Sequence, residues 1–229
     1  MKIEALQKLT LLDFPQKMAC TIFTHGCNFR CPFCHNALLV TNPQEAFIPE
    51  EEILSFLEGR KGKLEGVCIT GGEPLMQEGL EDFMRKIKDM GFLIKLDTNG
   101  SFPGKLKSLC KQGLVDYVAM DIKNSQKKYA VTAGKKLFDL SAVNESVDFL
   151  ISGNIPYEFR TTVTRDYHTL QDLLDIAKWI SGSDAWYLQQ FVDSGNLIDS
   201  ECTGYTNEEL KEMYKAVKKH LPCTQLRGI

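Results

Sequence analysis

Short apolar runs separated by amphipathic stretches recur along the whole chain, and this alternation limits the fold more than any other feature. The runs fall at 19–24, 66–70, 92–97, 117–122, 157–163 and 186–192. Most are continuously apolar, as strands buried on both faces of a parallel sheet must be. Between them lie helical patterns. Leu80, Phe83, Met84 and Ile87 repeat at i, i+3, i+4 and i+7, with Gly91 placed to end the helix. Leu173, Ile176, Ala177 and Ile180 repeat the pattern behind an N-terminal cap of Thr169 with Asp172. Leu210, Met213, Tyr214 and Val217 repeat it after a capping box of Thr206 and Glu209. Pro49 with Glu50, Glu51 and Glu52 opens a shorter helix at Ile53, Leu54 and Leu57. Strands alternating with helices imply βαβ units, right-handed crossovers and an α/β fold. Six such units fit in 229 residues, whereas a complete (β/α)8 barrel typically takes roughly 250. The expectation is a partial (β/α)6 TIM-like barrel with parallel strands, the alternative being a sheet left open and doubly wound. Residues 1–229 read as one domain, with an N-terminal extension of about residues 1–17 and polar loops at 124–136 and 193–204.

In barrels of this kind the chemistry sits at the C-terminal ends of the strands. Those ends carry Cys27 to Cys34, then Gly71-Gly72-Glu73-Pro74, Asp97-Thr98-Asn99-Gly100 and Asp121-Ile122-Lys123, while Arg160 and Gln189 lie within the last two strands.

Composition narrows the function. A hydrophobic share of 43% suits a globular chain with a real core, and a net charge of −3 without a long basic run argues against non-specific nucleic-acid binding. No apolar stretch is long enough to cross a bilayer and the N-terminus has no signal-peptide pattern, so a reducing, cytoplasmic location is expected. Eight cysteines there point to metal or redox chemistry rather than disulfides. Cys20 and Cys68 stand in apolar runs and read as small core residues; Cys110, Cys202 and Cys223 are scattered.

Cys27, Cys31 and Cys34 crowd together as C-x3-C-x2-C, a spacing that can wrap a compact cluster. Iron–sulfur clusters usually take four thiolates, and three leave one iron open to chemistry. The bland alternatives are a Cys3His zinc site with His35, a disulfide within the loop, and an electron carrier that draws a fourth thiolate from Cys202 or Cys223. His168 and His220 read as surface residues at helix ends, and His25 carries no assignment.

The cysteine spacing, with aromatic Phe33 before the last cysteine, resembles the signature of the radical S-adenosylmethionine (SAM) superfamily, and Gly71-Gly72-Glu73-Pro74 resembles its SAM-binding motif. The resemblance covers nearly the whole chain. It implies a [4Fe–4S] cluster on Cys27, Cys31 and Cys34, with SAM on the open iron, cleaved by one electron to methionine and a 5′-deoxyadenosyl radical that abstracts hydrogen. It places Phe33 near the adenine, Gly71 and Gly72 against SAM, and Glu73 at the methionine amino group. Cys34-His35-Asn36 resembles the ending of this motif in activases of glycyl radical enzymes, which brings His35 into the SAM site. In those activases segments like Asp97-Thr98-Asn99-Gly100 and Asp121-Ile122-Lys123 contact SAM or a nearby monovalent cation. This implies such roles for Asp97, Asn99, Asp121 and Lys123. Read from the residues alone, the first is an Asn-Gly turn and the second a charged strand end. Arg160, if buried, needs a carboxylate, either that of SAM or an acidic side chain; Gln189 is a further SAM candidate.

Leu12-Asp13-Phe14-Pro15-Gln16 resembles the Asp-Tyr-Pro-Gly segment of activating proteins for anaerobic ribonucleoside-triphosphate reductase, with Phe14 in place of Tyr and Gln16 in place of Gly. The implied partners are a glycyl radical enzyme as protein substrate and a flavodoxin- or ferredoxin-like electron donor. Alternatives are a pyruvate formate-lyase activase, a small-molecule enzyme such as 7-carboxy-7-deazaguanine synthase, and a non-catalytic iron–sulfur or zinc module. Activases with additional clusters carry cysteines after the first motif, and none occurs between Cys34 and Cys68.

Overall fold

The computed structural model describes residues 1–42, 46–153, 155–193 and 195–229. Its strands are β1 (Ile3–Thr10), β2 (Ala19–Thr24), β3 (Gly66–Gly71), β4 (Leu93–Thr98), β5 (Tyr117–Asp121), β6 (Tyr157–Val163), β7 (Trp186–Gln190) and β8 (Thr224–Arg227). Its α-helices are α1 (Ala37–Thr41), α2 (Glu50–Glu58), α3 (Leu80–Asp89), α4 (Pro103–Lys111), α5 (Tyr129–Thr132), α6 (Ser141–Ile151), α7 (Leu170–Trp179) and α8 (Asn207–Lys218). Strand order follows chain order from β1 to β8. The six expected strands are β2 to β7, so the α/β reading with six βα strands holds. β2–β3, β3–β4, β6–β7 and β7–β8 pair in parallel. No described helix is long and apolar enough to cross a membrane.

The chain forms two compact units. The first comprises Met1–Asn28, Leu38–Thr98 and Phe102–Ala119; the second comprises Phe29–Ala37, Asn99–Ser101 and Met120–Ile229.

In the first unit the 1–17 segment is more than an extension, because β1 pairs antiparallel with β2, Ile3 opposite Thr24 and Thr10 opposite Ala19. The turn that follows explains the Leu12–Gln16 segment. Lys17 N–H donates to Phe14 O at 3.1 Å, with Pro15 and Gln16 as the central residues. Gln16 has φ 59°, the one left-handed non-glycine among the described residues. Proline followed by a left-handed residue makes a type II turn, whose third position favours glycine. Phe14 is buried, its ring 6.2 Å from that of Tyr117. Leu80, Phe83, Met84 and Ile87 of α3 are all buried, and Gly91 follows in a left-handed conformation at φ 91°.

In the second unit both expected capping boxes form, Thr169 with Asp172 on α7 and Thr206 with Glu209 on α8. One loop expectation needs correction. The 124–136 stretch contains α5, whose Tyr129 is fully buried and stacks on Phe138 at 5.6 Å. The described part of the 193–204 stretch, which excludes position 194, is a loop as expected, and it adds to the core by burying Cys202 against Phe33 and Phe191. β8 carried no apolar run long enough to announce it; Thr224 is its one buried residue.

Candidate active site

All eight cysteines are free thiols, which removes the disulfide reading of the loop. Cys27 belongs to the first unit and Cys31 and Cys34 to the second. Cys34 N–H donates to Cys31 O at 3.0 Å, a turn that sets those two residues on one bend. Burial pushes the Cys34 thiol above its ordinary range, and the Lys123 ammonium opposes that shift. A thiolate there calls for a strong neighbouring cation, which is what bound iron provides. Two half-buried thiols, Cys27 and Cys34, and the buried Cys31, none in a disulfide, are soft donors of the kind an iron–sulfur cluster takes. No three described His, Cys, Asp or Glu side chains converge on one metal ion. Thiolates on a four-iron cluster each meet a different iron, so that convergence is not required of them.

In the first unit the Gly71-Gly72-Glu73 turn is built by close backbone approach. A Cβ on Gly72 would stand 1.8 Å from Gly26 O, and one on Gly71 would stand 2.3 Å from Thr24 N. The chain's own packing already demands both glycines. Glu73 is 0% exposed. Its Oε1 accepts from Leu75 N–H at 3.1 Å, capping the one-turn segment Pro74–Met76, and from Thr98 Oγ1 at 2.9 Å. Asp97 accepts from Thr70 Oγ1 at 3.1 Å and pairs with Lys95. Lys95 is 1% exposed, and its Nζ lies 3.9 Å from Cys68 Sγ. Sequence reasoning missed this lysine, although a charge in an apolar run two residues before Asp97 falls on the same strand face. His25, half-buried, pairs with the half-buried Glu4 of β1 at 2.7 Å.

In the second unit Asp121 is the centre. Its Oδ1 accepts from Arg160 Nε at 2.9 Å and its Oδ2 from Lys123 Nζ at 3.0 Å. Burial alone would raise the Asp121 pKa, but the two cations outweigh it and hold the carboxyl well below the usual carboxylate range. The acidic side chain, one of the two partners expected for Arg160, is therefore present. Asn99 Oδ1 accepts from Ser101 N–H at 3.0 Å, the Asx geometry of a turn, and Gly100 follows Asn99 at φ 76°. Phe33 is buried among Phe191, Cys202 and Tyr167. His35 is exposed, its ring 5.8 Å from Phe191. Gln189 is half-buried on β7, in register with Thr162 and Arg227.

His168 corrects the expectation of a surface residue, being 0% exposed. Thr164 N–H donates to its Nδ1 at 3.2 Å, so the ring proton sits on Nε2, which donates to Lys123 O at 2.8 Å. Its ring packs 5.7 Å from Phe33. Two further residues went unnoticed. Glu158, 1% exposed on β6, takes both guanidinium nitrogens of Arg227 at 2.9 and 3.0 Å, and that guanidinium lies 3.8 Å over the ring of Tyr187.

Residues 21–180 match the family described as the Radical SAM superfamily. The chain is 30% identical over 238 residues to a protein of Methanocaldococcus jannaschii provisionally named a glycyl-radical enzyme activating enzyme, covering 99% of this chain and 96% of that one. It is 27% identical to the pyruvate formate-lyase-activating enzyme of Clostridium pasteurianum, over 96% of this chain and 94% of the other. Among solved structures it resembles Streptococcus suis SuiB bound to S-adenosylmethionine, with TM-score 0.71 and 12% identity. That match covers 89% of this chain and 48% of SuiB, so the chain spans about half the length of that structural relative.

Proposed function

The chain belongs to the radical SAM superfamily, and from that premise we propose that it is an activase that takes a hydrogen atom from a glycine of a glycyl radical enzyme. The observation that carries this reading is likeness to a named activating enzyme along 99% of the chain and 96% of that relative. Within that class the proposed protein substrate is anaerobic ribonucleoside-triphosphate reductase. The Phe14–Lys17 turn supports it, since its left-handed third position is where the resembling segment carries glycine.

Cys27, Cys31 and Cys34 would hold the [4Fe–4S] cluster. Bound there, the cluster and SAM would supply reductive cleavage of a sulfonium and with it a hydrogen-abstracting radical. The chain's own residues bind and orient. Asp121, Lys123 and Arg160 together carry one net positive charge, suited to the carboxylate of a methionine moiety. Glu73 is fixed by Leu75 and Thr98, so it would present its carboxyl without rotamer cost to an amino group. Phe33, His35, Gly71, Gly72, Asp97, Asn99 and Gln189 complete the proposed SAM surroundings, with a monovalent cation at Asp97 or Asp121.

The test is anaerobic incubation of the reconstituted protein with SAM, dithionite and either anaerobic ribonucleoside-triphosphate reductase or pyruvate formate-lyase, followed by electron paramagnetic resonance. A glycyl radical on the reductase supports the full reading. A radical on the lyase alone moves the substrate assignment. 5′-Deoxyadenosine without a glycyl radical on either would favour a small-molecule substrate, and a colourless protein containing zinc would remove the enzyme altogether.

A further inference from the structure

Resting on the reading of the chain as a reductively driven enzyme, we propose that the surface formed by Arg30, Lys127, Lys135 and Lys136 is the docking site of a small acidic one-electron carrier protein. The chain as a whole is acidic, with net charge −3. Yet no Asp or Glu occurs between Asp121 and Asp139, while that stretch holds Lys123, Lys127, Lys128, Lys135 and Lys136. The acids that face it come from elsewhere in the second unit. Asp121 takes Lys123, Asp172 takes Lys128 at 2.6 Å, and Asp175 reaches Lys127 only at 3.9 Å. Lys127 is 86% exposed, so that last contact is weak. Lys135 and Lys136 are exposed and make no ion pair among the described residues. Lysines elsewhere are better matched, as in Lys17–Glu65 at 2.8 Å, Lys61–Glu58 at 2.8 Å and Lys88–Asp116 at 2.7 Å.

This basic surface is fastened to the cysteine loop. Arg30 N–H donates to Ala133 O at 3.0 Å. Gly134 lies so close to Arg30 that a Cβ there would stand 2.0 Å from Arg30 O, and its φ of 68° is one that glycine alone takes without strain. Phe29 sets its ring edge-on to Phe138 at 5.2 Å. Arg30 is exposed and directly precedes Cys31, one of the proposed cluster ligands. Val131 and Leu137, in the same stretch of chain as the lysines, stand exposed at 53% and 92% and add apolar surface to it. Transient redox encounters use small interfaces of this kind, steered by charge and released quickly. The step balances as a single electron: the reduced carrier loses one, the oxidised cluster gains one, and no bond is made or broken.

The experiment compares the reconstituted parent with Lys127→Glu/Lys135→Glu/Lys136→Glu, and with Lys61→Glu/Lys63→Glu/Lys111→Glu as a control of equal charge change. Oxidised flavodoxin serves as the probe, its binding measured by titration calorimetry over a salt series. 5′-Deoxyadenosine formation is followed with reduced flavodoxin and, separately, with dithionite. The first triple variant should lose at least about tenfold in flavodoxin affinity and most of its salt dependence. Its flavodoxin-driven turnover should fall in step, while dithionite-driven cleavage stays as in the parent. Undiminished flavodoxin binding would overturn the proposal, as would an equal loss in the control. Loss of dithionite-driven glycyl radical formation in the first variant would reassign the surface to the protein substrate. A parent that cleaves no SAM with dithionite would instead bring down the enzyme reading itself.

Discussion

Arg160 shows how far one residue can be read on its own. A guanidinium in a strand built for burial must be neutralised, and the sequence offered two partners without choosing between them. The choice is Asp121, 39 positions away and 2.9 Å distant. Lys95 and Glu158 obey the same rule, Lys95 meeting Asp97 two positions along its own strand and Glu158 of β6 meeting Arg227 of β8, two strands away. Burial raises the thiols of both Cys34 and Cys110, the latter to about 11, and what separates them is their neighbours: the Lys123 ammonium opposes the shift at Cys34, and no charged group does so at Cys110 in α4. Replacing Cys27, Cys31 or Cys34 singly by Ala should abolish SAM cleavage and lower the iron bound per chain, whereas Cys110→Ala should change neither. Iron analysis and 5′-deoxyadenosine assay check this, and full activity in any of the first three variants would show that the ligands were misassigned.

At the scale of elements, the parts set by neighbouring residues were legible. The α7 and α8 capping boxes need only a hydroxyl and a carboxylate three residues apart, and both form. The glycine that ends α3 and the apolar runs of β2 to β7 are equally local. The Phe14–Lys17 turn is instructive because its sequence departs from its geometry. A left-handed conformation costs a non-glycine residue about 1–2 kcal/mol, and glycine's greater freedom in the unfolded chain gives back about 0.5–1 kcal/mol of the difference. Gln16→Gly should therefore stabilise the chain by about 0.5 kcal/mol, seen as a higher urea midpoint with an unchanged slope. A lower midpoint would mean that the Gln16 side chain holds the turn through contacts that offset its strain.

For the whole molecule, His168 couples stability to pH. Its ring is buried and neutral, and burial lowers its pKa from 6.5 to about 4. Between those values the unfolded chain takes up a proton that the folded chain refuses, so stability rises with pH across the window and is lost as the solution is acidified through it. A displacement of this size is worth about 3 kcal/mol at most. His168→Gln should be less stable at neutral pH and should flatten this part of the profile, measured as thermal midpoints from pH 4 to 7. An unaltered slope would place the titration elsewhere. The burial of His168 was invisible in the sequence because position 168, next to a helix cap, is as often wet as dry. By itself the sequence determined the α/β alternation, the six core strands, the caps and the cysteine spacing, because each depends on residues a few positions apart. Only the tertiary structure decided that the N-terminal segment pairs with β2, which acid neutralises Arg160, and that Ala133 and Gly134, in the lysine-rich stretch around α5, lie against Arg30 of the cysteine loop. Those outcomes depend on groups distant along the chain, whose meeting is fixed by packing and by the cost of leaving a buried charge or backbone group unpaired.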